Sequence, residues 1–285
     1  MSTATLTKQE PGQQQPPRPA VVVDGNEGRI GLRANLRHIG ALARRNMLQI
    51  KQDPESMFDV LFMPIIFTLL FTFVFGGAMA GKGNQDAYVS YLVPGLMAMM
   101  GLNVSMAVGT GINEDFQKGV MDRFRTMPIA RSSVLIAKIV TEIGRMLVAF
   151  TILLIVGFIL GLTVATSPLH VLAAVGLSLA FGASLMWIFI LIGLSVKTAQ
   201  AVQGIAMIVL MPLQFGSSIF AKPETMPGWL QTFTDYNPLS NLADASRGLF
   251  LGNLEMRDVW MVLGWAVVIT AVTAPLAISK FRKKT

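Results

Sequence analysis

The sequence contains no cysteine. That absence excludes a disulfide framework, thiol nucleophiles and cysteinyl metal sites. Histidine is nearly missing too, and His38 and His170 stand too far apart in the chain to suggest a zinc site. Charge is also scarce. Only 14% of the 285 residues are charged, whereas a soluble domain carries roughly 25%. The long apolar runs hold almost no ionisable residue, which argues against proton or sodium coupling through a carboxylate at the bilayer midplane. The same scarcity leaves no Ser/His or paired-acid constellation for an intramembrane hydrolase. Residues 1–30 have no apolar core segment, so no cleavable signal peptide is expected.

What the chain does have is hydrophobicity: 53% of its residues are apolar, and the mean hydropathy is +0.57. Six stretches are long enough to cross about 30 Å of hydrocarbon at 1.5 Å per residue. They lie near 59–80, 88–112, 142–165, 170–196, 199–221 and 259–279, the last two divisions of the middle group being separated only by a short polar hinge at Lys197. Pro64 and Pro94 fall inside spans and predict kinks. Most Lys and Arg precede the first span, follow the second, or close the chain at Lys280–Lys284. Lys82, Lys222, Arg247 and Arg257 are the basic residues of the opposite side. The bias places both termini in the cytoplasm. It also explains the net charge of +7 without nucleic acid.

Outside the spans, residues 1–28 are rich in Pro, Gln and Gly and read as a disordered cytoplasmic tail. Residues 29–53 change character. Leu32, Leu36, Ile39, Ala43, Met47 and Ile50 recur at helical spacing, with Arg33, Arg37, Arg44 and Lys51 on another face. A basic amphipathic helix beside a span lies in the membrane interface; a solvated linker helix is the alternative. The third such region, 113–138, is longer than a turn between spans requires. Asn113 is expected to cap a helix whose first turn carries Glu114 and Asp115. Phe116, Val120, Phe124 and Met127 then share one face, and Pro128 ends the helix. Such a two-faced helix either docks a partner or rests on lipid headgroups.

The stretch "DFQKGVMDRFRTMPIARSSVLIAKIV" resembles the cytoplasmic segment of the type-2 ABC exporter permeases, most closely the daunorubicin-resistance-like branch. The likeness rests on Gly119, on the run Asp122-Arg123-Phe124-Arg125, and on Pro128 followed by Ala130-Arg131-Ser132. "DYNPLSNLADASRGLFLGN" resembles the external Asn-Pro-Leu segment of the same family, and the order of helices agrees along nearly the whole chain. The resemblance implies an all-α polytopic integral membrane protein of six transmembrane helices with cytoplasmic N- and C-termini. It would comprise an interface helix and a permease domain over 54–285, with a coupling segment at 113–138 and an external re-entrant segment at 222–258. It further implies docking of a cytosolic ATP-binding subunit, present in two copies, through Glu114, Asp115, Phe116, Gly119, Asp122, Arg123, Phe124 and Pro128. ATP and Mg²⁺ would be held by that partner and none by this chain. A second permease copy, membrane lipid and a lipophilic substrate complete the expected partners, in a bacterial cell membrane.

Asn237, Pro238 and Arg247 mark the external gate segment implied by that resemblance, with a lipid-lying loop as the alternative. Trp229, Phe233 and Tyr236 suit an interfacial aromatic belt. "GGAMAGKG", Gly76 to Gly83, nearly spells a phosphate-binding loop, but Gly83 replaces the Mg²⁺-holding hydroxyl and the stretch follows a membrane span. Glu142 and Arg145 read as a helix-surface ion pair at i, i+3. The Met- and Phe-rich spans supply a candidate apolar substrate path at Phe67, Phe71, Met97 and Met100. The function expected is the permease subunit of an exporter for a lipophilic or amphipathic compound. Export of a polysaccharide or lipid-linked glycan, and a non-transporting membrane tether for a cytosolic partner, are the alternatives.

Overall fold

A computed structural model describes residues 40, 54–80, 85–120 and 131–284. The expected tail 1–28 lies outside the described residues, as does the expected interface helix 29–53 apart from Gly40. The described chain forms α1 Pro54–Ala80, α2 Gln85–Gln117, α3 Arg131–Ile159, α4 Pro168–Gly193 and α5 Ala199–Phe215. A 3₁₀ turn at Pro223–Thr225 leads to α6 Gly228–Tyr236, α7 Pro238–Leu251 and α8 Met256–Lys284. No strand occurs among the described residues. α1, α2, α3, α4 and α8 are each long and apolar enough to cross a membrane. α5 has 17 residues, about 25 Å of helix, and so falls short of a full 30 Å hydrocarbon core.

Local chemistry sets several of these boundaries. Pro168 and Pro238 sit in the first turns of α4 and α7, where a missing N–H costs nothing. Thr198 caps α5 by accepting the Ala201 N–H at 3.2 Å. α1 and α2 continue past Pro64 and Pro94. Several span limits differ from expectation. α2 runs to Gln117 instead of stopping near 112, α3 begins at Arg131 instead of 142 and ends at Ile159, and α5 stops at Phe215. Asn113 therefore caps no helix; it lies inside α2, and its side chain bonds elsewhere. Residues 113–117 are the last turns of α2, and the expected coupling helix does not begin there. Gly76–Ala80 are helical, so the near-match to a phosphate-binding loop begins in the final turn of α1.

α2 is the centre of the bundle. Of its most apolar stretch 78% is buried, against 22% in α1 and 11% in α8. α4 packs most extensively against it, and α7, α1, α3 and α5 surround the rest. The α2–α4 contact is backbone against backbone. A Cβ on Gly193 would lie 2.3 Å from the Gly109 carbonyl oxygen, and one on Gly109 would lie 2.5 Å from that of Phe189. Ser105 Oγ bridges the pair, placed 2.6 Å from the Gly101 carbonyl and 2.9 Å from that of Gly182. Between helices in lipid, close packing and such bonds replace the hydrophobic effect as the source of association.

Outward-facing surfaces are apolar. Phe73, Val74, Ile159, Ile208 and Val267 are each more than half exposed, as suits side chains meeting lipid. Placing a β-branched side chain at the α2–α4 crossing has a predictable cost. Gly109→Val and Gly193→Val should each destabilise by on the order of 1–3 kcal/mol through overpacking. Gly264→Ala, where a Cβ meets nothing within 4 Å, should leave stability unchanged. Thermal unfolding of the detergent-purified protein distinguishes these outcomes, and equal melting of all three variants would contradict the packing described.

Candidate functional site

Three polar or concave features stand out against the apolar bundle: a latch around α7, a groove beside α2, and a braced turn at the C-terminal end of α2.

The latch begins at Asn237. Its Oδ1 accepts the Leu239 N–H at 3.0 Å and so caps α7, with Pro238 in the first turn. Its amide donates to the carbonyls of Leu213 at 2.8 Å and Gly216 at 3.0 Å, which ties α7 to the end of α5. The Asn-Pro pair thus caps one helix and anchors it to another. α7 is an interior helix: Leu239, Leu242, Ala243, Ser246, Leu249 and Phe250 are all buried. That burial marks α7 as a packed helix. Trp229 and Tyr236 on α6 do project outward.

Arg247 is the second half of the latch and is only 6% exposed. Its Nε donates to the Tyr91 carbonyl at 2.8 Å. Nη1 donates to Ser218 Oγ at 3.1 Å and to the carboxylate of Asp244. Nη2 donates to the carbonyls of Ser218 at 2.7 Å and Ile219 at 3.1 Å. The guanidinium also lies 3.7 Å from the centroid of the Tyr91 ring, while Tyr91 Oη donates to the Ser218 carbonyl at 2.6 Å. A buried guanidinium is tolerable here because its donors meet acceptors on three separate segments. Tyr91, Ser218 and Asp244 were not picked out from the sequence. Asp244 stands three residues before Arg247, a helical spacing that could have signalled the pair.

The groove has a volume of about 480 Å³ and lies among α1, α2, α3 and α5. Phe67, Met63, Met99, Met100, Met106 and Met207 form much of its wall. Asn103, Gln203 and Gln214 add amides, and Asp59 and Arg145 add charge. Of the four residues expected along an apolar path, Phe67 and Met100 line this groove. Phe71 instead stacks on Phe220, with ring centroids 4.5 Å apart, and Met97 is fully buried in the core. The Glu142–Arg145 pair forms at 3.0 Å in the expected i, i+3 geometry, with Glu142 buried and Arg145 half-buried beside the groove.

At the far end of α2, Asn113 Nδ2 donates to the carbonyls of Gly193 and Val196, each at 2.9 Å. Gln117 Nε2 donates to Asn113 Oδ1 at 2.6 Å and to the Lys197 carbonyl at 2.9 Å. Asp115 pairs with Lys138 of α3, and Phe116 meets Phe281 of α8 edge-on at 5.8 Å. Glu114 pairs with Lys118 at 3.0 Å on the exposed side. Gly119, at φ +66°, follows in the left-handed conformation that favours glycine after a helix end. Of the residues expected to dock an ATP-binding subunit, Glu114, Asp115, Phe116 and Gly119 therefore cluster here. Asp122, Arg123, Phe124 and Pro128 lie outside the described residues.

A central helix flanked by a lateral groove, anchored at both ends and wrapped in long apolar helices, describes a multi-pass membrane protein. The chain belongs to the ABC-2 type transporter family, whose model matches residues 37–251. It is thus a permease subunit of a family that partners an ATP-binding subunit. It is 38% identical over 240 residues to the daunorubicin resistance ABC transporter permease protein DrrB1 of Streptomyces coeruleorubidus, covering 84% of each chain. It is 23% identical over 235 residues to the probable doxorubicin resistance ABC transporter permease protein DrrC of Mycobacterium tuberculosis, covering 82% of this chain and 84% of that one. Similarity to the probable multidrug ABC transporter permease YbhR of Escherichia coli is 27% over 211 residues, 70% of this chain and 54% of that one.

The latch makes its own prediction. Arg247→Met should destabilise by roughly 3–5 kcal/mol, because it strands the buried partners of the guanidinium. Asp244→Asn should cost less, since the Asp244 side chain is 39% exposed. Thermal unfolding ranks the two, and Arg247→Met melting with wild type would contradict a latch.

Proposed function

We propose that the chain is the membrane half of an exporter that moves a lipophilic or amphipathic compound, a drug or lipid-like metabolite, outward across a bacterial cell membrane. Two copies of the permease work together, and two copies of a separate subunit bind and hydrolyse ATP with Mg²⁺. α5 serves as the short sixth span, both termini are cytoplasmic as the Lys/Arg bias favours, and α6 with α7 forms the external gate segment. The groove carries the choice of cargo. Its thioethers and Phe67 offer an adaptable apolar wall, and its amides offer a few hydrogen-bonding positions. A sugar chain would leave much of that wall facing hydroxyl groups. The names of the relatives, which speak of daunorubicin, doxorubicin and multidrug resistance, favour the same reading.

In this reading Glu114, Asp115, Phe116, Gly119, Asp122, Arg123, Phe124 and Pro128 make the handle for the ATP-binding subunit, while Gln117 between them bonds back to Asn113 and the Lys197 carbonyl. Glu114, Asp115, Phe116 and Gly119 form its root, and Asp122, Arg123, Phe124 and Pro128 form its docking part. Closure of the ATP-binding pair moves the handle and tilts the helices between inward- and outward-open arrangements.

Capture from the native host in mild detergent tests the handle. Wild type should retain a subunit with ATPase activity, and Asp122→Arg should lose it. Capture of no ATPase by wild type would favour a membrane tether instead. For the cargo path, Met100→Trp or Met207→Trp should cut export of a lipophilic fluorescent dye by at least about tenfold while leaving ATPase capture intact. Undiminished export by both would remove the groove from the path.

A further inference from the structure

The polar contacts at the end of α2 join parts of the bundle that otherwise have separate tasks. α4 ends at Gly193, and Leu194 to Lys197 turn the chain into α5. Helix C-termini leave carbonyls without intrahelical partners. Here the amides of α2 meet them: Asn113 spends both of its N–H bonds on Gly193 and Val196, and Gln117 reaches Lys197. Asn113 is 3% exposed, so these bonds are protected from water. Lys280 of α8 adds a bond to Ser195 Oγ at 2.7 Å. Directly behind the bracket, the α2 and α4 backbones touch at Gly109 and Gly193. Directly ahead of it stands Gly119, with the residues assigned to docking in the exporter reading following in the sequence. Beyond the turn, α5 contributes Gln203, Met207, Leu210 and Gln214 to the groove.

The geometry points to Asn113 and Gln117 as positioning residues that transmit motion of the docking segment to α5, and so to the width of the groove. A displacement after Gly119 acts on α2 at residues 113–117. The amides carry it across to the 194–197 turn, and the turn moves the base of α5. Contiguous packed and hydrogen-bonded contacts are one route by which coupling between two sites is carried. The inference rests on the exporter reading above, since it needs an ATP-binding subunit that moves the segment.

The test uses the full complex with its ATP-binding subunit. The natural absence of cysteine lets spin labels be placed at V148C on α3 and I208C on α5, both exposed. The label distance is compared without nucleotide and with ATP trapped by vanadate, in the parent and in Asn113→Leu/Gln117→Met. The parent should show a nucleotide-dependent shift. The double variant should lose it while still capturing the ATP-binding subunit and hydrolysing ATP, and its export should fall roughly two- to thirtyfold. Gln117→Met alone, which keeps both Asn113 bonds to α4 and its turn, should give an intermediate shift and guards against simple misfolding. A full shift in the double variant overturns the proposal. Failure of the parent to capture any ATPase overturns the exporter reading, and this inference with it.

Discussion

Where Gly109 meets Gly193, α2 and α4 lie so close that neither helix can carry a side chain at the crossing, and the rest of the bundle is arranged around that contact. Lipid tails offer no hydrophobic gain for pressing two apolar helices together, so the association has to come from close packing and from interhelical hydrogen bonds. The Ser105 bridge to Gly182 and the Asn113 bonds to Gly193 and Val196 lie along the same seam. With this seam fixed, α2 becomes the axis against which α1, α3, α5 and α7 pack. The groove is the space left on the side away from α4.

Polar groups appear where the bundle must be held in register. Arg247 gathers carbonyls from α2 and from the turn after α5, and Asn237 fixes α7 to the same turn. A charged group buried in an apolar surrounding is costly to keep and more costly to orphan. Its value here is positional: the segments that meet at Arg247 cannot separate without stranding several acceptors at once. The two ends of α2 are thus anchored by different chemistry, a guanidinium at one and a pair of carboxamides at the other. Between them the groove is walled in part by the flexible thioethers of five methionines.

Much of this was legible in the sequence, because membrane helices announce themselves by length and hydrophobicity. The long helices and the short hinge before α5 follow from residue type and spacing, whereas the cap that Asn237 places on α7 was not read from the sequence. Helix ends were less legible. Hydropathy marks where a chain is apolar, and α2 and α3 run on into polar sequence, through Asn113 and from Arg131. Asn113 illustrates the difficulty. An Asn before two acids is a good cap by local rules, yet its amide is used by carbonyls some 80 positions along the chain. The Arg247 cluster was hidden for the same reason, since Tyr91 and Ser218 are distant in sequence. The split of the four Met and Phe candidates has another origin. Composition cannot tell a methionine on a groove from one in the core: Met97 and Met100 stand one helical turn apart on α2 and are both buried, yet only Met100 reaches the groove.

Whether the proposed exporter moves an apolar compound on ATP hydrolysed by its partner is decided by reconstitution with the ATP-binding subunit in sealed vesicles, with nucleotide-binding faces outward. An exporter of this kind should give ATP- and Mg²⁺-dependent uptake of a lipophilic fluorescent dye into the lumen, unaffected by a proton ionophore and abolished when ATP is replaced by a non-hydrolysable analogue. Dye movement that ignores ATP, or an assembled complex that hydrolyses ATP and moves no dye or drug of any kind, would contradict the proposal.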